Sequence, residues 1–235
     1  MFVHGYPLNH TIWEAQKALA DSFRLILPDL PGFGKSPASG ATIDGYADTI
    51  RDLLDTLNID KASMFGHSMG GYVVLSFADR YPERLDAMGL ICSQAGGDPA
   101  DVREARLKTA ETVEKQGTSA VVDTMAEKLT APSGVHLKET LRSIMRTAGT
   151  AGITAALRAM AARTDRFHVF SKLIVPVLIL SGTEDILIPE DKARLMADRL
   201  KLGKWTPLEN CGHMPMMEQP ERFNQEIRTF LALVS

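Results

Sequence analysis

The chain of 235 residues is long enough to bury one α/β core with an insertion, and we expect a single domain. Its 45% hydrophobic and 23% charged residues are ordinary values for a globular protein, and a net charge of −3 provides no basic face for nucleic acid. The longest apolar run, "LIVPVLIL" at residues 173–180, is too short to span a bilayer, and the N-terminal segment lacks a signal-peptide pattern. These features predict a cytoplasmic protein without nucleic-acid or membrane partners, in which Cys92 and Cys211 are free buried thiols.

Short runs rich in apolar and β-branched residues alternate with helical patterns along the chain, which is typical of a parallel sheet built from βαβ units. Strands are predicted at residues 1–4, 23–30, 62–66, 86–93, 175–182 and 203–208. Helices are predicted at residues 11–20, 43–59, 69–82 and 219–234. The predicted fold class is α/β, with a mostly parallel sheet of about six strands and helices on both faces.

The alternation of strands and helices stops between the fourth and fifth predicted strands. Amphipathic helical stretches occupy this region and begin near Pro99, Thr118, Val135 and Thr150. We interpret the region as an inserted all-helical lid. The predicted organisation is a core formed by residues 1–97 and 167–235, with residues 98–166 as the lid.

The segment "FGHSMGG" at residues 65–71 places Ser68 at the centre of a G-x-S-x-G pattern. The third predicted strand ends at Gly66. A predicted helix follows directly after Ser68 and has Gly70 and Gly71 in its first turn. A nucleophile held above a sheet requires such a strand, tight turn and helix, because the first N–H groups of the helix then face the reacting oxygen. The pattern therefore predicts Ser68 as a nucleophile.

An acid and a base follow Ser68 in the chain order Ser, Asp or Glu, His that accompanies a nucleophile in a strand–turn–helix elbow. "SGTEDILIP" places Asp185 at the end of a strongly apolar strand, and "ENCGHMPMMEQP" places His213 one strand later. His213 would act as the general base, and Asp185 would orient the imidazole and stabilise the imidazolium. Glu184, beside Asp185, and Asp98, after the preceding strand, remain alternatives for the acid.

The same chemistry requires backbone donors for the negative oxygen of the transition state. "HGYP" at residues 4–7 follows the first strand, so the N–H of Tyr6 can point into the mouth of the pocket. The N–H of Met69, at the start of the helix after Ser68, can join it. These two groups are the predicted oxyanion hole.

Together these motifs resemble the α/β-hydrolase superfamily, in the lid-bearing branch that contains esterases, lactonases and perhydrolases. The segments that carry the resemblance are "HGYP", "PDLPGFGKS", "GHSMGG", "GTEDILIP" and "GHMPMMEQPERF". The resemblance implies Ser68 as nucleophile, Asp185 as acid, His213 as base, and Tyr6 with Met69 as oxyanion donors. It implies no cofactor and no metal.

The beginning of the chain departs from the family pattern. Members usually have a longer segment with two strands before the H-G motif, whereas His4 stands almost at the start here. The predicted strand at residues 23–30 would then lie at an open edge of the sheet, which is a surface prone to pairing. We expect either association into a homodimer near this edge or a chain that begins downstream of the usual start.

Two other patterns in the sequence resemble ligand sites. His4, His67 and Asp29 are candidate metal ligands, but turn packing explains both histidines, and no H-x-x-x-H pattern or cysteine pair accompanies them. "GFGKS" at residues 32–36 imitates a phosphate loop, but the pattern would require glycine at position 29. We interpret it as a loop that borders the pocket.

The favoured reaction is hydrolysis of a small carboxylic ester or lactone through an acyl-enzyme on Ser68. A serine at the elbow excludes the aspartate chemistry of haloalkane dehalogenases and epoxide hydrolases. A perhydrolase, which Pro7 in "HGYP" makes plausible, or a carbon–carbon bond hydrolase on the same triad remains an alternative, as does a ligand receptor with weak hydrolase activity. Flexible apolar side chains suit short to medium acyl groups. The predicted pocket residues are Met125, Ile144, Met145 and Met214.

Overall fold

A computed structural model describes residues 1–38 and 42–234. In this part of the chain, five strands form one parallel sheet whose spatial order is the chain order. The strands are β1 (Phe2–Val3), β2 (Ala62–His67), β3 (Leu85–Ile91), β4 (Val177–Gly182) and β5 (Gly203–Leu208). The predicted α/β class with a parallel sheet is confirmed.

Helices cover the sheet and fill the connections between its strands. The α-helices are α1 (Ile43–Thr56), α2 (Met69–Arg80), α3 (Ala100–Gln116), α4 (Ser119–Lys128), α5 (Lys138–Met145), α6 (Thr150–Ala162), α7 (Val169–Lys172), α8 (Glu190–Ala197), α9 (Pro215–Glu218) and α10 (Pro220–Leu231). The 3-10 helices span His10–Asp21, Pro82–Arg84 and Pro132–Leu137. No helix in the described ranges is both long enough and apolar enough to cross a membrane.

In β1, β2 and β4, neighbouring residues belong to different hydrophobic clusters, because successive side chains of a strand point to opposite faces of the sheet. Met64 of β2 and Ile179 of β4 pack in one cluster, together with residues of α1 and α2. Phe65 and Leu178, their chain neighbours, pack in the other with residues of α10. The sheet is therefore buried on both faces, as its continuous apolar strands predict.

The segment predicted as a strand at residues 23–30 does not form one in the structure. A single backbone hydrogen bond joins it to the sheet, from the N–H of Phe2 to the C=O of Ile26, at 2.9 Å. Because β1 is only two residues long, it offers too few partners for a ladder. The segment nevertheless lies beside β1 at the predicted edge.

Residues 98–166, called the helical insertion below, contain α3 to α6 between β3 and β4. These helices occupy the stretches where the sequence predicts them. The insertion also contacts the "GFGKS" loop at Gly152 and Gly32. The two backbones approach so closely that a Cβ on Gly152 would lie only 2.0 Å from the carbonyl oxygen of Gly32. Gly32 has a φ of +92°, a conformation that favours glycine. The loop therefore packs against the insertion.

Candidate active site

Ser68 is the single residue between the end of β2 and the start of α2. Its φ of 51° and ψ of −116° are rare for a residue with a side chain, and such strain costs about 1–3 kcal/mol. The turn is held by hydrogen bonds from Ser68 N to Ile91 O, 2.9 Å, and from Ser93 Oγ to Ser68 O, 2.8 Å. Two glycines make the turn possible, since a Cβ on Gly66 would lie 2.3 Å from Gly70 O.

His213 and Asp185 form a buried hydrogen-bonded pair. The His213 Nδ1 lies 2.7 Å from Asp185 Oδ2, and their side chains are 2% and 0% exposed. The other carboxylate oxygen accepts the N–H groups of Leu187, at 2.8 Å, and Ile188, at 3.0 Å. Because the carboxylate accepts the Nδ1 proton, the Nε2 atom of the ring is left as the acceptor that a general base needs.

The loop around His213 is fixed from several sides. The N–H groups of Gly212 and Met214, on either side of the histidine, donate to the Glu218 carboxylate at 3.0 and 2.9 Å. His67 Nε2 donates to His213 O at 2.7 Å. Burial lowers the pKa of His67 well below its usual value, so this ring stays neutral. Sequence reasoning missed the positioning roles of Glu218 and His67.

The structure separates the alternative acids from His213. Glu184 is exposed, whereas Asp185 is buried. Asp98 accepts hydrogen bonds from Arg163 Nη2 and Arg106 Nε, both at 2.6 Å. Burial opposes ionisation of Asp98, but these hydrogen bonds outweigh burial and lower its pKa below its usual value. Of the three candidates, Asp185 is the one that contacts His213.

A cavity of about 660 Å³ opens beside Ser68 and His213, and Tyr6 also lines it. Most of its wall comes from α3, α4 and α6 of the helical insertion. Met125 lines the cavity as predicted, and Met160 does as well. A separate cavity of about 500 Å³ lies at the open sheet edge and contains none of these residues.

Three predicted pocket residues do not line the cavity. Met145 and Met214 are fully buried in the hydrophobic cluster that contains Phe65, and Ile144 packs against the same cluster. Their apolar side chains are used for core packing, so the prediction for Ile144, Met145 and Met214 is corrected.

The predicted oxyanion donors, the backbone N–H groups of Tyr6 and Met69, follow the ends of two neighbouring strands, β1 and β2. Val3 pairs with Gly66, which brings the turn after β1 beside the turn that contains Ser68. Tyr6 lies in the first of these turns, and Met69 is the first residue of α2. Within the described ranges, neither backbone N–H donates to a protein acceptor. Both groups are therefore available to a bound oxygen.

The histidine and aspartate residues that the sequence analysis set aside as metal ligands form other contacts in the structure. His4 Nε2 accepts the N–H of Leu30 at 2.9 Å, and Asp29 accepts the N–H of His10 at 2.8 Å. In the described part of the chain, the one group of three potential ligands is Cys92, Asp185 and His213, with ligand atoms within 4.8 Å. Two of these three residues already share a hydrogen bond, so the group fits an acid–base pair.

A serine in a strand–turn–helix elbow, followed by a histidine–aspartate pair beyond later strands of a parallel sheet, is the layout of an α/β hydrolase. The chain belongs to the alpha/beta hydrolase fold family, whose model matches residues 1–220.

Proteins similar to the chain include hydrolases of several kinds. A thermophilic esterase from Thermogutta terrifontis, solved with malate bound, is 35% identical, with a TM-score of 0.96 over 99% of this chain and 89% of that one. A 2-hydroxy-6-oxononadienedioate/2-hydroxy-6-oxononatrienedioate hydrolase from Paraburkholderia phymatum is 29% identical over 98% of this chain and 86% of its own length. An enol-lactonase from Burkholderia xenovorans shares the fold, with 23% identity and a TM-score of 0.89 over 98% and 90% of the two chains.

Proposed function

We propose that the protein is a serine hydrolase that cleaves small carboxylic esters or lactones. The observation that carries the proposal is that Ser68 and His213 line the same cavity, while His213 Nδ1 lies 2.7 Å from the buried carboxylate of Asp185. The similarity to the Thermogutta terrifontis esterase supports the ester class.

In the proposed acylation step, Ser68 Oγ attacks the ester carbonyl carbon while His213 Nε2 takes its proton. The N–H groups of Tyr6 and Met69 stabilise the negative oxygen of the tetrahedral intermediate. His213 then returns the proton to the leaving alcohol oxygen, the carbon–oxygen bond breaks, and the acyl group remains on Ser68. Asp185 stabilises the imidazolium throughout.

The second half of the reaction uses the same groups on water. A water molecule loses a proton to His213 and attacks the acyl carbon, and the proton returns to Ser68 Oγ as the carboxylic acid leaves. The helical insertion acts in this proposal as a lid over the cavity, while residues 1–97 and 167–235 form the core. The contribution of α3, α4 and α6 to the cavity wall supports that role.

The test is a panel of p-nitrophenyl esters from acetate to decanoate, measured beside a few lactones. The native protein should release p-nitrophenol catalytically, and the Ser68→Ala variant should not. Ser22→Ala is a matched control because Ser22 is exposed and lies outside the cavity. A Ser68→Ala variant that keeps more than a tenth of the activity would contradict the mechanism.

A carbon–carbon bond hydrolase on the same residues is a second candidate. The relative from Paraburkholderia phymatum, a 2-hydroxy-6-oxononadienedioate/2-hydroxy-6-oxononatrienedioate hydrolase, favours it. Cleavage of a vinylogous diketone, with esters hydrolysed poorly, would select this reaction over ester hydrolysis.

A further inference from the structure

One wall of the candidate active-site cavity is positively charged. Arg106 and Lys108, both on α3, line it. Among the described residues that line the cavity there is no aspartate or glutamate. A ligand in this cavity therefore meets cationic side chains that no carboxylate of the wall balances.

The charge of Arg106 is not neutralised by its ion pair. Asp98 Oδ2 accepts Arg106 Nε at 2.6 Å, but Asp98 Oδ1 accepts Arg163 Nη2 at the same distance. One carboxylate thus faces two guanidinium groups, and these three groups together have a net positive charge. Because the side chain of Arg106 is 23% exposed while that of Arg163 is 4% exposed, a ligand would reach the charge at Arg106.

Arg106 also has donors to spare. Among the described residues, the one acceptor near its Nη1 is the sulfur of Met160, at 3.6 Å, which is a weak acceptor. Its Nη2 forms no hydrogen bond with any residue in the described ranges. A carboxylate can accept both terminal nitrogens at once in a bidentate pair.

A second observation concerns Tyr6, which lines the same cavity. Its hydroxyl is buried and has no hydrogen-bond partner within the described part of the chain. Burial raises the pKa of Tyr6, and the charge of Arg106 acts in the opposite direction, so the hydroxyl lies within electrostatic range of the guanidinium. A buried hydroxyl without an acceptor is costly, and an anion held by Arg106 would supply one.

We propose that Arg106 forms an anion-binding subsite in this cavity and that the preferred substrate is a small ester carrying a free carboxylate. The inference rests on the proposed esterase function. Since Tyr6 and Ser68 line the same cavity, the carboxylate and the scissile carbonyl would belong to one small molecule. The carboxylate belongs to either the acyl part or the alcohol part of the ester.

The test compares kcat/KM for matched charged and neutral esters. p-Nitrophenyl hemiglutarate against p-nitrophenyl hexanoate probes the acyl side, and para-carboxyphenyl butyrate against phenyl butyrate probes the alcohol side. The native protein should prefer one charged ester over its neutral partner by about tenfold to a hundredfold, the range that charge-assisted hydrogen bonds supply. Equal kcat/KM within both pairs would overturn the proposal.

Variants assign the preference to a residue. Arg106→Gln should lower kcat/KM for the charged ester more than for its neutral partner and so abolish the preference, while Asp98 stays paired with Arg163. Lys115→Gln, which removes an exposed cation of the same helix outside the cavity, should keep the preference. An equal loss on charged and neutral esters in Arg106→Gln, or a preference abolished by Lys108→Gln alone, would refute the assignment. Arg106→Lys replaces Arg106→Gln if the latter does not fold, and it should weaken the preference.

Calorimetric titration of glutarate into the Ser68→Ala protein separates this proposal from the esterase proposal. Glutarate should bind to the Ser68→Ala protein. In the double variant Ser68→Ala, Arg106→Gln, the Kd for glutarate should be about tenfold higher or more. Binding that depends on Arg106 without hydrolysis of any ester would leave the subsite standing and refute the esterase. Hydrolysis of neutral esters without glutarate binding would refute the subsite alone.

Discussion

Replacement of Asp185 by asparagine tests whether the carboxylate controls the histidine tautomer. Asp185 Oδ1 accepts two backbone N–H groups, from Leu187 and Ile188, while Oδ2 lies 2.7 Å from His213 Nδ1. If the asparagine oxygen keeps the backbone bonds, its NH₂ group faces Nδ1 as a donor. The ring must then carry its proton on Nε2, and this tautomer cannot accept the proton of Ser68.

The opposite orientation of the asparagine is less favourable. It would direct the NH₂ group at two buried backbone donors, and each donor left without an acceptor costs about 1–3 kcal/mol. The wrong tautomer should therefore dominate, and kcat should fall about 10⁴-fold, equivalent to about 5 kcal/mol of activation free energy. KM should change little, because Asp185 does not line the cavity.

Steady-state hydrolysis of p-nitrophenyl butyrate by three proteins provides the measurement: the native chain, Asp185→Asn and Glu184→Gln. Glu184→Gln is the matched control, since it alters the exposed neighbour that the sequence leaves as an alternative acid, and its kcat should stay native. Thermal unfolding checks that each variant is folded. Activity of Asp185→Asn within tenfold of the native value, or a large loss in Glu184→Gln, would refute the assignment.

Ser68→Ala and His213→Ala should each lower kcat by several orders of magnitude, and the double variant should be little worse; additive losses would show that the two residues act separately. Glu218→Gln places an NH₂ group among the three backbone N–H groups that the carboxylate accepts, so kcat should fall about tenfold. If the variant keeps the native kcat and the native pH–rate profile, Glu218 does not position His213. Burial holds the pKa of His4 at about 4 instead of 6.5, so the unfolded chain binds more protons at this residue between these values. His4 should therefore contribute a decrease of about 3 kcal/mol to the free energy of unfolding as the pH falls through this window, beside the decrease from His67. Urea denaturation at a series of pH values measures the free energy of unfolding, and its decrease with falling pH should be smaller in His4→Gln than in the native protein. The same dependence of the unfolding free energy on pH in both proteins would contradict this prediction.

The elbow could be predicted from the sequence because its requirements are local. The glycines that permit the turn at Ser68 lie within two residues of it, and the strand and helix that it joins are continuous with it. The predicted strand at residues 23–30 failed because its partner, β1, is too short, and a strand requires a partner as well as a suitable composition.

Support for the candidate base comes from residues that a local pattern does not connect. Glu218 binds Gly212 and Met214, which are close in sequence, but it also accepts the N–H of Ala131 from the helical insertion, at 2.8 Å. The glutamate five positions after His213 in "GHMPMME" could have indicated the hydrogen bonds from Gly212 and Met214. No spacing in the sequence indicates the third, because the insertion and the loop meet only in the folded chain.

The helical insertion shows why pocket residues are harder to predict than catalytic ones. Helical periodicity identifies an apolar face, but it does not say which of two apolar spaces that face will occupy. Met125 of α4 borders both hydrophobic clusters and lines the cavity, whereas Met145 of α5 belongs wholly to the cluster that contains Phe65. Both residues satisfy the same amphipathic pattern, so the distinction depends on how α4 and α5 are placed over the sheet. Chain-length preference should therefore respond to Met125→Ala and not to Met145→Ala, provided that both variants fold.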